Sequence, residues 1–179
     1  KRDKLTAFDP ASKNGAVLVT TSEWLSTFNV LDFLRDVGRR FRVSEMMARE
    51  SVKRRMESED GVSYTEFSYQ ILQAYDYLHL YQAHGVRLQI GGGDQWGNIT
   101  AGIDLVRRVE QAQAFCLVIP LVTDSKGQKF GKSLGGTVYL DPEISSPYQM
   151  YQFLMNAEDV CVVDYLKYYT FLSLDEIQD

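Results

Sequence analysis

Apolar and polar positions change period several times along this 179-residue chain. Short apolar runs at 16–20, 86–90, 115–122 and 137–140 have the length and composition of strands. Helical spacing fills the intervals, near 29–37, 44–57, 64–81, 100–113, 147–155 and 159–171. Strands separated by helices predict a parallel α/β sheet. The helix at 64–81 carries an apolar stripe of Phe67, Ile71, Ala74 and Leu78. On another face it carries Tyr69, Gln73 and Asp76, at i, i+4 and i+7, so a phenol, an amide and a carboxylate share one side. Ser173 and Glu176 form a capping box that predicts one more helix start. There are no repeats and no low-complexity tract.

The strand at 86–90 runs into Gly91, Gly92 and Gly93, followed at once by Asp94 and Gln95, with a helical pattern from near Asn98. Glycines at a strand end let a ligand approach the backbone. In open α/β sheets ligands bind beyond the carboxyl ends of strands, where a carboxylate can hold a ribose hydroxyl. The helix face therefore suits a small zwitterion with a polar tip, and the strand end suits a nucleotide. Taken singly, the first would be a solvated face and the second a loop; their adjacency favours a site. A further segment, Lys129-Phe130-Gly131-Lys132-Ser133, brackets a glycine with two lysines able to approach a polyphosphate. It is not a Walker A loop. Gly127 to Gly131 leaves three residues between the glycines instead of four, and Gly135 and Gly136 follow where a helix should start.

Composition narrows the classes. An apolar content of 45% is ordinary for a globular domain with a real core. The longest apolar run, 115–122, is too short to cross a membrane and is broken by Pro120, and the first ten residues have no signal-peptide pattern. Cys116 and Cys161 lack metal-site spacing and read as buried reduced thiols. A net charge of −5 argues against indiscriminate nucleic-acid binding but leaves room for local basic patches. Three clusters exist: Arg39, Arg40 and Arg42; Lys53, Arg54 and Arg55; and Arg107 with Arg108. The first two read as solvated helix faces. His84, before Gly85, reads as a surface turn residue, Trp24 and Trp96 as packing groups, and the aromatic stretch from Tyr148 to Tyr169 as core.

The segments VLDFLRDVG, YTEFSYQILQAYD, LQIGGGDQWGNITAGIDLVRR, PLVTDSKGQKFGKS and SPYQMYQF, in this order and spacing, resemble the catalytic core of bacterial-type tyrosyl-tRNA synthetases, which are class I aminoacyl-tRNA synthetases. The likeness runs from about Asn29 to the C-terminus. It implies a Rossmann-like parallel sheet with flanking helices, partial here, followed by an α-helical segment. Residues 1–140 would be the second half of the catalytic domain with a helical dimerisation insertion, and 141–179 the helical segment leading towards an anticodon-binding region. A His-x-Gly-His-like motif would lie upstream, since His79 and His84 sit in no such motif, and the fragment alone would be inactive.

The resemblance also implies roles. Tyr69 and Gln73 would bind the amino group of tyrosine, Asp76 its phenol, Gln89 would support that pocket, and Gln95 would lie near the carboxylate. Gly91, Gly92, Gly93 and Asp94 would hold ATP. The loop of Lys129, Phe130, Lys132 and Ser133 would be a variant of the Lys-Met-Ser-Lys-Ser signature, with both lysines on the leaving pyrophosphate. Arg107 and Arg108 match a region near the tRNA acceptor stem. The expected ligands are tyrosine, ATP with Mg2+, and tRNA(Tyr), in a homodimer without structural metal, prosthetic group or membrane, working in the cytoplasm or an organelle. Two other readings stay open: a tryptophanyl enzyme of related fold, and a non-catalytic RNA-binding or dimerising protein on the same core.

Overall fold

The computed structural model describes residues 15–59, 61–125, 127 and 138–178. In chain order it has α1 (Ser22–Leu25), α2 (Val30–Asp36), α3 (Val43–Met47), α4 (Glu50–Met56), α5 (Tyr64–His84), β1 (Leu88–Gly92), α6 (Trp96–Glu110), β2 (Phe115–Ile119), α7 (Pro147–Met155), α8 (Asp159–Tyr169) and α9 (Leu174–Gln178). Two compact units divide these residues, one within Ser12–Pro120 and the other containing Leu121–Asp179.

Local chemistry sets the helix ends. At α5 the Ser63 hydroxyl accepts from the Glu66 amide while the Glu66 carboxylate accepts from the Ser63 amide, a reciprocal cap. The same box opens α7 with Ser146 and Gln149, with Pro147 in the first turn where no amide is needed. Ser173 and Glu176 repeat it at α9, as the sequence predicts. Gly85, at φ 66°, ends α5 in the left-handed conformation that glycine adopts without penalty.

The core of the first unit is the seam between α5 and α6. Ala74, Tyr77 and Leu78 face Ile99, Ala101, Leu105 and Val106, all at most 5% exposed. Burial of each large side chain contributes about 1.5–3 kcal/mol. Gly102 makes the seam possible: a Cβ there would lie 2.8 Å from Tyr77 Cδ1. The Tyr77 hydroxyl donates towards the carbonyls of Phe115 (2.6 Å) and Arg87 (3.0 Å), and so ties the helix pair to the starts of both strands. The strands are parallel, paired from Leu88 with Phe115 to Gly92 with Ile119, and α6 is their crossover. Cys116 and Val118 turn towards the helices, whereas Phe115, Leu117 and Ile119 are 45–50% exposed on the other face. The described residues thus form a parallel two-stranded sheet with flanking helices and a helical C-terminal part.

Several expectations need correction. Residues 16–20 form no strand; Val17 and Leu18 are exposed and pair with no ladder. Strand β2 stops at Ile119 because Pro120 has no amide to donate. The helix expected over 44–57 breaks into α3 and α4 at Arg49, whose backbone is extended (φ −71°, ψ 136°). Helix α6 starts at Trp96, ahead of the expected Thr100, and Trp96 itself is 55% exposed instead of packed. The tail is not an aromatic core: Tyr148, Tyr151, Tyr168 and Tyr169 are exposed, and the buried residue of α8 is Cys161. Beside it Tyr165 donates to the Thr123 carbonyl at 3.3 Å, and burial together with Cys161 pushes its phenol up to about 12. Of the strand expected over 137–140, Thr137 lies outside the described residues and 138–140 form none.

Candidate functional site

The candidate residues of the first unit lie on α5 and on the turn where β1 gives way to α6. A 3-10 turn at Gly93–Gln95 joins the end of β1 to α6. It places Asp94 exposed and Gln95 half-buried. A Cβ at Gly91 would sit 3.1 Å from Ile99 and 3.2 Å from Gln95, so any side chain there would press on the packing of this corner. At Gly93 a Cβ would meet only the Ile119 carbonyl, at 3.8 Å, so the surface there is open. Asn98 bonds Gln95 at 3.4 Å.

A cleft of about 290 Å³ opens between α4, the start of α5 and this corner, and both Tyr69 and Asp94 line it. One residue of the expected amino-acid side and one of the expected nucleotide side thus share a wall. Gln73, Asp76, Gln89 and Gln95 do not line that cleft. Gln73 and Asp76 lie farther along α5, Asp76 roughly 10 Å from Tyr69 along the helix axis.

Two buried acceptors stand out. The Oε1 atoms of Gln73 and Gln89 are shielded from solvent and have no hydrogen-bond partner among the described residues. Leaving such an atom unsatisfied costs about 1–3 kcal/mol, so each of these oxygens would gain from a donor.

Asp76 is differently placed. The Trp24 indole N–H donates to Asp76 Oδ1 at 2.8 Å. Trp24 is 7% exposed, and its ring stacks on His79 at 4.3 Å with an interplanar angle of 18°. Burial pushes the Asp76 carboxyl above the usual carboxylate range, and the Trp24 bond and His79 pull it partly back. Phe28, Phe33 and Tyr75 pack edge-to-face nearby and extend an apolar wall. Sequence reasoning assigned Trp24 to packing only. Its polar role could not be seen, because its partner lies 52 residues away.

The basic clusters are engaged locally. Arg107 pairs with Asp104 at 2.8 Å, and Arg108 reaches Glu45 at 3.7 Å and the Arg40 carbonyl. These ion pairs are exposed and contribute little to stability. Lys129, Phe130, Lys132 and Ser133 lie outside the described residues. Among the described residues there is no cluster of His, Cys, Asp and Glu able to hold a metal ion. No described helix is long and apolar enough to cross a membrane.

Known proteins resemble this chain over nearly its whole length. It is 56% identical over 165 residues to tyrosine–tRNA ligase 2 of Enterococcus faecalis, covering 92% of this chain and 39% of that protein. It is 55% identical over 170 residues to tyrosine–tRNA ligase 1 of Bacillus subtilis, covering 94% and 40%. The chain therefore spans about two-fifths of the length of these relatives. Among solved structures, the C-terminally truncated mitochondrial tyrosyl-tRNA synthetase of Aspergillus nidulans superposes with a TM-score of 0.70 at 32% identity, covering 88% of this chain and 45% of that one. The corresponding enzyme of Coccidioides posadasii gives 0.69 at 28%, covering 88% and 46%. The pattern that defines the tRNA synthetases class I (W and Y) matches residues 4–179, and the chain belongs to that family.

Proposed function

We propose that the protein carrying this chain activates tyrosine with ATP and transfers it to tRNA(Tyr). The observation that carries the choice of tyrosine is the half-buried Asp76 carboxylate, held by Trp24 through one oxygen. The other oxygen faces the task of accepting from a phenol. An amino acid without the hydroxyl leaves that carboxylate unpaired, which is costly. Relatives named tyrosine–tRNA ligases at 55–56% identity support the same choice over the tryptophanyl branch.

In this reading the unpartnered oxygens of Gln73 and Gln89 serve the tyrosine side. Gln73 accepts from the ammonium group beside Tyr69, and Gln89 buttresses the pocket floor. Asp94, at the open corner beyond β1, takes the ribose hydroxyls, and the exposed backbone at Gly93 lets the nucleotide lie close. The tyrosine carboxylate attacks the α-phosphate of ATP, pyrophosphate leaves, and tyrosyl-adenylate forms. The tyrosyl group then passes to the terminal adenosine of the tRNA. Magnesium enters as the counter-ion of ATP. Such chemistry depends on positioning and charge stabilisation, which the resemblance gives to Lys129 and Lys132 on the pyrophosphate, with Ser133 and Phe130 in the same loop. Arg107 and Arg108, at the exposed end of α6, would meet the acceptor stem.

The dimer belongs to the same proposal. Val43, Met47, Met56 and Tyr64 are 40–74% exposed around one open apolar groove at the start of α5. Such a patch suits a second subunit. The deciding experiment is pyrophosphate exchange by the full-length reading frame with each of the twenty amino acids. Exchange dependent on tyrosine supports the reading; exchange dependent on tryptophan, or none, refutes it.

A further inference from the structure

Arg49 stands where the expected helix breaks, at the extended residue before α4. Its guanidinium donates through Nη1 to the carbonyl of Gly97. With its carbonyl oxygen turned to the cation, Gln70 lies against the guanidinium, 3.2 Å from Nε, 3.0 Å from Nη1 and 2.9 Å from Nη2. Gln70 is 7% exposed and Arg49 half-buried, so this contact between a cation and a carbonyl dipole is partly shielded from water. Gly97 suits the approach, since a Cβ there would press on Arg49 Nη1 at 3.1 Å. Burial lowers the guanidinium pKa, but the group remains a cation at any physiological pH.

The geometry points to Arg49 as a positioning residue, which acts through Gln70 and Gly97 to fix the spacing between α5 and the corner before α6. Gln70 follows Tyr69 directly, and Gly97 lies in the first turn of α6, just past Asp94 and Gln95. The inference rests on the tyrosine-activating reading, in which those neighbours hold the two reacting molecules. Arg49 lines the same cleft as Tyr69 and Asp94 but is assigned to neither molecule. A reaction between two bound substrates depends on their alignment, and a misplacement of about 1 Å can cost roughly a hundredfold in rate. Each substrate keeps its own contacts when Arg49 is lost, so affinity survives and rate does not. Nothing local in the sequence marks this role, because Arg49 and Gly97 are 48 residues apart.

The same two helices are also joined at their far ends, where Gln82 Nε2 donates to Glu110 Oε1 at 2.6 Å. That contact supplies the control. Single-turnover adenylate formation and equilibrium binding of tyrosine and of ATP are measured in the full-length protein for Arg49→Met, Arg49→Lys and Gln82→Ala. Arg49→Met is expected to slow adenylate formation about 10- to 100-fold, with both dissociation constants within about twofold of wild type. Arg49→Lys keeps a charge but lacks the fork that reaches both partners, so it falls between; it also carries the test if the Met variant does not fold. Gln82→Ala matches wild type. An unchanged rate in the Arg49 variants overturns the inference, as does lost tyrosine affinity at unchanged rate, or equal slowing by Gln82→Ala. Amide exchange gives a readout independent of the reaction. Arg49→Lys and Arg49→Met should speed exchange in the first turns of α6 and not in its last. If the wild type forms no tyrosyl-adenylate, the functional reading fails, while the exchange pattern still decides whether Arg49 locks this corner.

Discussion

Asp76→Asn in the full-length protein separates the two sides of the site. The carboxylate is held by Trp24 through Oδ1 at 2.8 Å, and an asparagine can keep that bond through its carbonyl. What changes is the second position, where a charged acceptor becomes an amide. A hydrogen bond to a charged group contributes about 1.5–3 kcal/mol and a neutral one about 0.5–1.5 kcal/mol. The loss is therefore about 1–2 kcal/mol, or roughly 5- to 30-fold in kcat/KM for tyrosine. Phenylalanine suffers less, because an unpaired amide is cheaper to bury than an unpaired carboxylate. The preference for tyrosine over phenylalanine should narrow by a similar factor, and the KM for ATP should hold. Pyrophosphate exchange with each substrate varied in turn measures all three. A variant altered only in its KM for ATP would refute the placement of Asp76 on the amino-acid side.

The same carboxylate predicts a pH profile. Burial raises its pKa above the ordinary 3.8. Protonation removes the acceptor, so kcat/KM for tyrosine is full above the raised value and falls as pH drops through it; Asp76→Asn lacks that acid limb. For folding the sign is opposite. The folded state holds this proton more tightly than the unfolded chain does, so the contribution of Asp76 to stability declines as pH rises from 3.8 through the raised pKa.

Lys132→Ala should slow adenylate formation by roughly a hundredfold while tyrosine affinity stays near normal, because charge on the leaving pyrophosphate grows only as the bond breaks; a rate equal to wild type would mean that the loop is a solvated turn. If the full-length protein is the proposed dimer, Tyr64→Asp should dissociate it in sedimentation at micromolar concentration, since the side chain is 74% exposed beside an apolar groove; an intact dimer places the interface elsewhere. Gly102→Ala should destabilise the fold, because the added methyl would stand 2.8–2.9 Å from the fully buried Tyr77. Overpacking of about 2 kcal/mol less about 1 kcal/mol of helix propensity leaves a net loss of about 1 kcal/mol, which predicts a thermal midpoint lower by about 2–8 °C, and an unchanged midpoint refutes that seam.

What the sequence made legible was whatever a local signal encodes. The cap of α9 and the strand that runs into glycines both follow from residues within a few positions of one another. The break at Arg49 was missed because helical periodicity continues through it; the interruption is set by partners on α5 and α6. Trp24 with Asp76, and Tyr77 with Phe115, are likewise joined across 52 and 38 residues, and no window of the sequence contains both members.

Helix α5 shows why its polar face was ambiguous in particular. The stripe of Phe67, Ile71, Ala74 and Leu78 was read as its inner face, yet Gln70 and Tyr77 are as deeply buried as Ala74 and Leu78. A helix that serves as core on one side and as the wall of a site on another has few positions in open solvent. Its periodicity then reports only the apolar part of what is buried. The strands show the converse. The apolar residues of β1 and β2 alternate between two faces, and both faces are apolar: Cys116 and Val118 meet the helices, while Leu88, Ile90, Phe115, Leu117 and Ile119 are 45–59% exposed. Parallel sheets are ordinarily covered on both faces. The sequence of these strands is therefore that of a doubly covered sheet, and the described residues supply one of its two covers. An apolar pattern identifies a strand without telling which of its faces is covered within the same stretch of chain, and a site beyond the strand ends is built from residues that only the covered face positions.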